Sequence, residues 1–242
     1  MPSKHRLDRS LVDRGLAASR EKAQALILAG EVSVDGQKAT KPGQPVGLDS
    51  KLEVQQPLRY VSRGGLKLEA ALREFAVSPR DKVCLDVGTS TGGFTDCLLQ
   101  HGALRVHCVD TGAGQIDWKL RTDPRVVLHE RTNARYLQVA DIGEPLSLIV
   151  CDVSFISVTL ILPALIPLLS PTGDLVILVK PQFEVGRENV GKGGIVRDPA
   201  LHAQARDRVR AALETRQFKT QSMESPILGA EGNREFFLHA ML

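Results

Sequence analysis

Four short apolar runs recur along the chain, Val83–Val87, Val106–Asp110, Leu146–Asp152 and Leu175–Lys180, each separated from the next by a segment long enough for a helix. Near-continuous apolar strands alternating with helices describe a parallel sheet covered on both faces, because only such strands have no side facing water. The expected class is therefore α/β. Glu235–Leu242 can add a last strand, and helices fit Gly64–Phe75, 93–101, 115–121, 158–169 and 199–216, the interval 158–169 bent at Pro163 and Pro167. Each of the four runs carries a charge near its carboxyl end: Asp86, Asp110, Asp152 and Lys180. Open parallel sheets bind ligands outside the carboxyl ends of their strands, so these four charges are expected to gather in one crevice.

The first 60 residues read differently. They hold ten Lys/Arg against seven acids, an excess of +3 that equals the net charge of the whole 242-residue chain. Turn-rich stretches at Lys41-Pro-Gly-Gln-Pro and Gln55-Gln-Pro place a boundary near residue 60, giving expected domains 1–60 and 61–242. Leu7, Leu11 and Val12 have helical spacing up to Gly15, and Ser19 can cap a second helix through Ala23, Leu26 and Ile27 to Gly30. Val32–Val34, the Asp35-Gly36 turn and Leu52–Val54 make a small sheet. Arg6, Arg9, Arg20 and Lys22 fall off the apolar stripe, on a face that meets either solvent or a polyanion.

Several classes are disfavoured. The longest apolar stretch, Val158–Leu169, contains Thr159 and two prolines and falls short of the roughly 20 residues of a membrane-spanning helix. The charged start MPSKHRLDRS leads into no apolar signal region, so a cytoplasmic protein is expected. Cys84, Cys97, Cys108 and Cys151 have no Cys-x-x-Cys spacing, so neither a metal site nor a disulfide framework is expected.

The loop after the first run, Leu85-Asp-Val-Gly88-Thr-Ser90-Thr91-Gly92-Gly93-Phe94-Thr-Asp96, has the glycine spacing G-x-x-x-G-G, which fits neither the dinucleotide fingerprint nor a Walker loop. An acid two residues before the first glycine and Asp110 closing the second run suit a ligand with a cationic methionine moiety and a ribose, as in S-adenosylmethionine. Asp86 would favour the cation, Asp110 would accept from the ribose hydroxyls, and Asn133 would meet the adenine edge or serve as a plain turn residue. The segment Cys151-Asp152-Val-Ser-Phe155 is not the Asn/Asp-Pro-Pro-aromatic loop of amine methylation, and Cys151 heads no nucleophile loop for a base carbon. Amine and carbon targets are thus disfavoured against a hydroxyl, which needs a general base, and a lysine kept neutral by a neighbouring cation or by burial suits that task. Lys180 is the candidate.

Known families add to this reading. Arg6–Gly36, R-L-D-x-x-L-V-x-x-G-L-A-x-S-R-x-x-A-x-x-L-I-L-x-G-x-V-x-V-D-G, resembles the S4 RNA-binding domain. That resemblance implies RNA phosphate contacts from Arg6, Arg9, Arg20 and Lys22. Asp86-Val-Gly-Thr-Ser-Thr-Gly-Gly-Phe-Thr95 resembles the first motif of FtsJ-like methyltransferases, implying a Rossmann-like fold with Gly88, Ser90, Thr91, Gly92, Gly93 and Phe94 around S-adenosylmethionine. Lys67, Asp152, Lys180 and Glu235 resemble the Lys-Asp-Lys-Glu tetrad of ribose 2′-O-methyltransferases. Lys180 would then take the hydroxyl proton, Asp152 and Glu235 would orient it, and Lys67 would disfavour its charged form or position the ribose. In this order the modules resemble the TlyA, or haemolysin A-like, family, which implies methylation of cytidine ribose with ribosomal RNA or a ribosomal subunit as partner. Gln115–Arg121 and Val190–Arg197 share in that resemblance; the glycine-rich, basic segment Arg187–Arg197 is either an RNA-facing loop or a flexible connection. A membrane-active protein, an RNA binder without turnover and a pseudouridine synthase are the alternatives. The glycine loop and Asp110 argue against the last.

Overall fold

Apolar residues at helical spacing in the first 30 positions pack two helices against two small sheets, while the later apolar runs assemble a separate large sheet. The computed structural model describes residues 4–54, 59–229 and 232–242, and the chain divides into two compact units, residues 1–58 and 59–242.

In the first unit, β1 (Lys4–Arg6) leads directly into α1 (Leu7–Asp13), followed by α2 (Arg20–Ala29). Ser19 caps α2 by accepting from the Lys22 N–H at 3.2 Å, and Gly30, at φ +72°, ends it. Next come β2 (Val32–Val34), β3 (Gln37–Lys38), β4 (Pro45–Gly47) and β5 (Leu52–Val54). Asp35 and Gly36 both have positive φ, the geometry that lets a two-residue turn follow the strand twist between β2 and β3. One sheet has the order β3-β2-β5; the other pairs β1 with β4 and was not foreseen from sequence. Leu7, Leu11, Ala23, Ile27 and Val32 form the buried centre.

The second unit runs α3 (Arg63–Glu74), β6 (Val83–Val87), α4 (Gly93–Gln100), β7 (Arg105–Val109), α5 (Trp118–Arg121), β8 (Val126–His129), α6 (Val139–Ile142), β9 (Leu146–Cys151), α7 (Leu162–Leu165), β10 (Leu169–Val179), α8 (Pro181–Glu184), α9 (Pro199–Glu214), β11 (Lys219–Glu224) and β12 (Phe236–Met241). The sheet order is β11-β12-β10-β9-β6-β7-β8. Strands β10, β9, β6, β7 and β8 are parallel, whereas β12 and β11 join antiparallel. The strand order reverses at β6, which lies between β7 and β9, so the carboxyl ends of β6 and β9 open onto the crevice of a doubly wound sheet. Both faces are filled. Leu85, Ile149, Cys151 and Ile177 belong to one buried cluster with α9, and Cys84, Leu148, Val150 and Val176 to another with α3 and α4.

Sequence expectation and structure part at three places. The interval 158–169 is one turn of α7 flanked by 3-10 turns at Val158–Leu160 and Ile166–Leu168, because Pro163 and Pro167 cannot donate backbone hydrogen bonds to a continuous helix. Only Trp118–Arg121 of the interval 115–121 is helical. Strand β11, with no long apolar run, becomes visible only through its pairing with β12. Among the described residues no helix is long and apolar enough to cross a membrane.

Phe237, fully buried beside Phe94 with ring centroids 6.2 Å apart, anchors β12 in the core. Phe237→Ala is expected to cost about 3–5 kcal/mol, measured as a lower denaturation midpoint with an unchanged denaturant slope.

Candidate active site

The loop from β6 to α4 meets the segment after β9 at a backbone contact that only glycine permits. The Asp152 N–H donates to the Val87 carbonyl at 2.8 Å, which keeps the chains together one residue past the ladder. Gly88 has φ +84°, and a Cβ there would overlap the Asp152 carbonyl oxygen. Asp152 is thus fixed by backbone packing rather than by its side chain.

Two cavities flank this contact and share Gly88, Ser90 and Asp152. The larger, about 450 Å³, extends along Asp110, Gln115, Asn133, Ser154 and Phe155. The smaller, about 360 Å³, is walled by Ser62, Arg63, Lys67, Thr91, Gly93 and Phe94. Asp110 is oriented by two backbone donors, the Ser90 N–H at 2.8 Å and the Gly112 N–H at 2.7 Å, and faces the larger cavity as an acceptor. Asn133 accepts from the Arg135 N–H at 3.0 Å, so it is a turn cap and a cavity wall at once; its side-chain amine is the donor that remains.

Lys67, Asp152, Lys180 and Glu235 form two ion pairs. Lys180 Nζ lies 2.5 Å from Asp152 Oδ1 and donates to Ser154 Oγ at 2.9 Å; Lys67 Nζ lies 2.6 Å from Glu235 Oε2. Both lysines are mostly buried, with side chains 11% and 12% exposed, so neither is a freely solvated surface amine. The ladder explains how distant residues meet: Val179 pairs with Phe236, which sets Lys180 and Glu235 at the same end of neighbouring strands. Lys67 and Asp152 line the smaller cavity, and Lys180 and Glu235 are their ion-pair partners.

Four sequence-selected residues of the second unit line neither cavity: Lys180 and Glu235, which touch the lining residues Asp152 and Lys67, and Asp86 and Gly92. Asp86 is fully buried on the α4 side of β6, where the two-residue period of a strand directs it, and its Oδ2 accepts from Thr95 Oγ1 at 2.6 Å. Its Oδ1 has no hydrogen-bond partner among the described residues, and burial, reinforced by the Asp152 and Asp110 charges, pushes its carboxyl up to about 7. Gly92, at φ +94°, begins α4 against Leu120, and a Cβ there would strike that side chain. The basic residues Arg6, Arg9, Arg20 and Lys22 are all exposed in the first unit, where Arg6 and Arg20 bind the buried Asp8 and Arg9 lies 3.9 Å from Asp13.

The structure also supplies residues that sequence reasoning passed over. Glu184, buried just past Lys180, accepts from Ser157 Oγ at 2.5 Å and from the Val158 N–H at 2.8 Å, tying the segment after Asp152 to the one after Lys180. Burial raises its carboxyl above the ordinary value. Phe155, 91% exposed at φ +67°, stands at the mouth of the larger cavity with its ring 5.3 Å from that of Phe183. A non-glycine residue in that conformation is strained, and such strain concentrates at functional sites. The available signal was an aromatic in a polar segment directly after a charged strand end. Cys151 is fully buried, and burial raises its thiol far above the usual range, the opposite of an activated nucleophile. Among the described residues no group of three His, Cys, Asp or Glu side chains could hold a metal ion.

A sheet of this order, with a glycine-bounded crevice at its reversal point, belongs to the Rossmann-like methyltransferases. The family model for FtsJ-like methyltransferases matches residues 60–241, and that for the S4 domain matches residues 5–51. The chain is 48% identical over 241 residues to the 16S/23S rRNA (cytidine-2'-O)-methyltransferase TlyA of Mycobacterium tuberculosis, covering 98% of this chain and 90% of that protein. It is 44% identical over 239 residues to Hemolysin A of Brachyspira hyodysenteriae, covering 98% and 100%. A solved structure from Streptococcus thermophilus that carries a hemolysin name aligns with 99% of this chain and 88% of that one, at TM-score 0.75 and 45% identity. The chain belongs to the TlyA, or haemolysin A-like, family of rRNA methyltransferases.

Two outcomes follow from this geometry. Gly88→Ala puts a methyl group against the Asp152 carbonyl at a positive-φ position and should lower the denaturation midpoint, read by thermal unfolding. Because the Asp86 carboxyl in the native state holds a proton that the unfolded chain releases near pH 4, its contribution to stability declines from about pH 4 to about pH 7. Asp86→Asn should remove that decline, read as a flatter difference between variant and wild-type unfolding free energy above pH 7 than below it.

Proposed function

We propose that the protein transfers a methyl group from S-adenosylmethionine to the ribose 2′-hydroxyl of a ribosomal RNA nucleotide, a cytidine, with Lys180 as the general base. The observation that carries this reading is the Lys180 amine held 2.5 Å from Asp152, the carboxylate shared by both cavities. S-adenosylmethionine, when bound, supplies an electrophilic methyl group on a sulfonium. The larger cavity fits it: Asp110 presents acceptors to a ribose diol, Asn133 an amide to the adenine edge, and Gly88 lets the Asp152 backbone pass close enough to form its wall. Ser90, Thr91, Gly93 and Phe94 line the smaller cavity, Gly92 sets the start of α4, and Asp86 supports the loop from beneath through Thr95.

The smaller cavity takes the target ribose. Lys180 Nζ, as the free amine, would accept the 2′-hydroxyl proton while the ribose oxygen takes the methyl group, the sulfur–methyl bond breaks and the sulfonium leaves as a neutral thioether; Asp152 and Ser154 hold the amine in direction. Lys67, kept in place by Glu235, puts a positive charge on the wall of this cavity, which favours the developing alkoxide. Residues 61–242 carry this chemistry; residues 1–60 hold the RNA, with Arg6, Arg9, Arg20 and Lys22 at its phosphates. The names of relatives such as TlyA of Mycobacterium tuberculosis support ribosomal RNA, and cytidine within it, as the substrate, and a cytoplasmic location accords with that partner.

Removal of a positioned general base lowers turnover by about 10²–10⁴-fold. Lys180→Ala is expected to show that loss with S-adenosylmethionine affinity intact, measured with radiolabelled cofactor and separated ribosomal subunits followed by nuclease mapping of the labelled nucleoside. Label on a base would overturn the chemistry, and near-normal turnover would remove Lys180 from it.

A further inference from the structure

Among the described residues of the first unit one carboxylate is completely withdrawn from solvent beside two exposed arginines. Asp8, at 0% exposure, begins the second residue of α1 and gathers five N–H donors. Its Oδ1 accepts from Arg6 Nε at 3.1 Å and the Arg9 N–H at 2.9 Å; its Oδ2 accepts from Arg6 NH2 at 2.9 Å, Arg20 Nε at 3.0 Å and Gln24 Nε2 at 2.9 Å. These contacts, led by the Arg6 guanidinium, hold its carboxyl well below the usual carboxylate range. The carboxylate therefore stays ionised throughout the physiological range with its lone pairs occupied.

What matters for function is which edges of the two guanidinium groups this leaves. Arg6 spends its Nε/NH2 edge on Asp8, and Arg20 spends only Nε. The NH1 nitrogen of Arg6 and both terminal nitrogens of Arg20 remain, and the two side chains are 52% and 56% exposed although their anchor is buried. A free arginine loses rotamer entropy when it is immobilised. Here that ordering is already done by the fold, and a guanidinium fixed on one edge can still present a planar pair of donors on the other, the geometry that matches phosphate oxygens. Gly43 keeps the site open on the Arg6 side, since a Cβ there would come within 3.1 Å of Arg6 NH1.

We propose that Asp8 is a positioning residue that locks Arg6 and Arg20 into a paired clamp for the phosphodiester backbone of the RNA substrate. The proposal rests on the reading that residues 1–60 bind RNA. It separates the four basic residues by role: Arg6 and Arg20 form the ordered clamp, whereas Arg9 and Lys22 add only diffuse charge. A carboxylate close to a phosphate site is unfavourable by charge alone, so Asp8 earns its position only through the order it imposes on the two arginines.

That opposition of charge and order provides the test. Asp8→Asn raises the net charge from +3 to +4, and if the basic face acted through charge alone, RNA binding would tighten. The clamp instead predicts weaker binding, on the order of tenfold. Binding of the full chain to isolated ribosomal subunits and to protein-free rRNA is measured by filter retention across a salt series, together with the steady-state constants for methyl transfer. Asp8→Asn should raise KM for RNA and leave both kcat at saturating RNA and S-adenosylmethionine affinity unchanged. In an Arg6→Ala/Arg20→Ala background the same substitution should have no further effect on binding; a purely structural clip between α1 and α2 would weaken binding there as well. Arg20→Lys keeps the charge and Asp8 but loses the second edge, and it should bind several-fold more weakly with a nearly unchanged salt slope. This variant decides the matter if Asp8→Asn does not fold. Unchanged or tighter binding by Asp8→Asn, or wild-type binding by Arg20→Lys, overturns the clamp while leaving RNA recognition intact; absence of binding by the wild-type chain overturns both.

Discussion

The close passage of the Asp152 backbone over Gly88 is the constraint on which the site depends. It extends the contact of β6 with β9 beyond their ladder through the bond from the Asp152 N–H to Val87. The space above the sheet is thereby divided into two cavities with one carboxylate between them. On the proposed reading the methyl donor and its acceptor lie on either side of this wall, which sets both positions at once. Because the wall is main chain, it does not depend on a rotamer, and the side chain of Asp152 is free to engage Lys180.

Charge is placed in that frame sparingly. Lys180 with Asp152 and Lys67 with Glu235 are two mostly buried, formally neutral pairs brought in by different strands and helices. Burying a lone charge costs several kcal/mol, and pairing offsets the cost only when geometry and extra hydrogen bonds are good; Ser154 supplies one for Lys180. Glu184 performs the analogous task for the backbone, joining the segments that follow Asp152 and Lys180 so that the two members of the pair cannot drift apart. The first unit repeats the principle with Asp8, whose buried charge organises exposed guanidinium groups.

Much of this was legible beforehand, and the limits have identifiable causes. Strand β6 occupies the interval expected for it, and Ser19 and Gly30 delimit α2 as their chemistry requires, because apolar periodicity and capping are local properties. The segment 158–169 was read as a bent helix and is a chain of short turns, since two prolines remove too many donors for the apolar stripe to override. Strand β11 escaped notice because its side chains alternate weakly at the sheet edge and its evidence is the partner β12. Asp86 was expected to face the ligand from its place in the motif, yet strand alternation turns it toward Thr95. Phe155 ends the segment after β9 and Glu184 stands just past Lys180, but exposure, backbone strain and burial are not written in residue type.

By itself the sequence determined the two-module plan, the α/β class, the glycine loop and the set of charged residues at strand ends, since each is carried by residues close together along the chain. Only the tertiary structure decided how those charges pair, which of them face a cavity and which support it from below. Lys67 and Glu235 are separated by 168 positions and meet at 2.6 Å. Such a meeting is set by strand order and by the antiparallel return of β12 beside β10, long-range consequences of packing that no local pattern encodes.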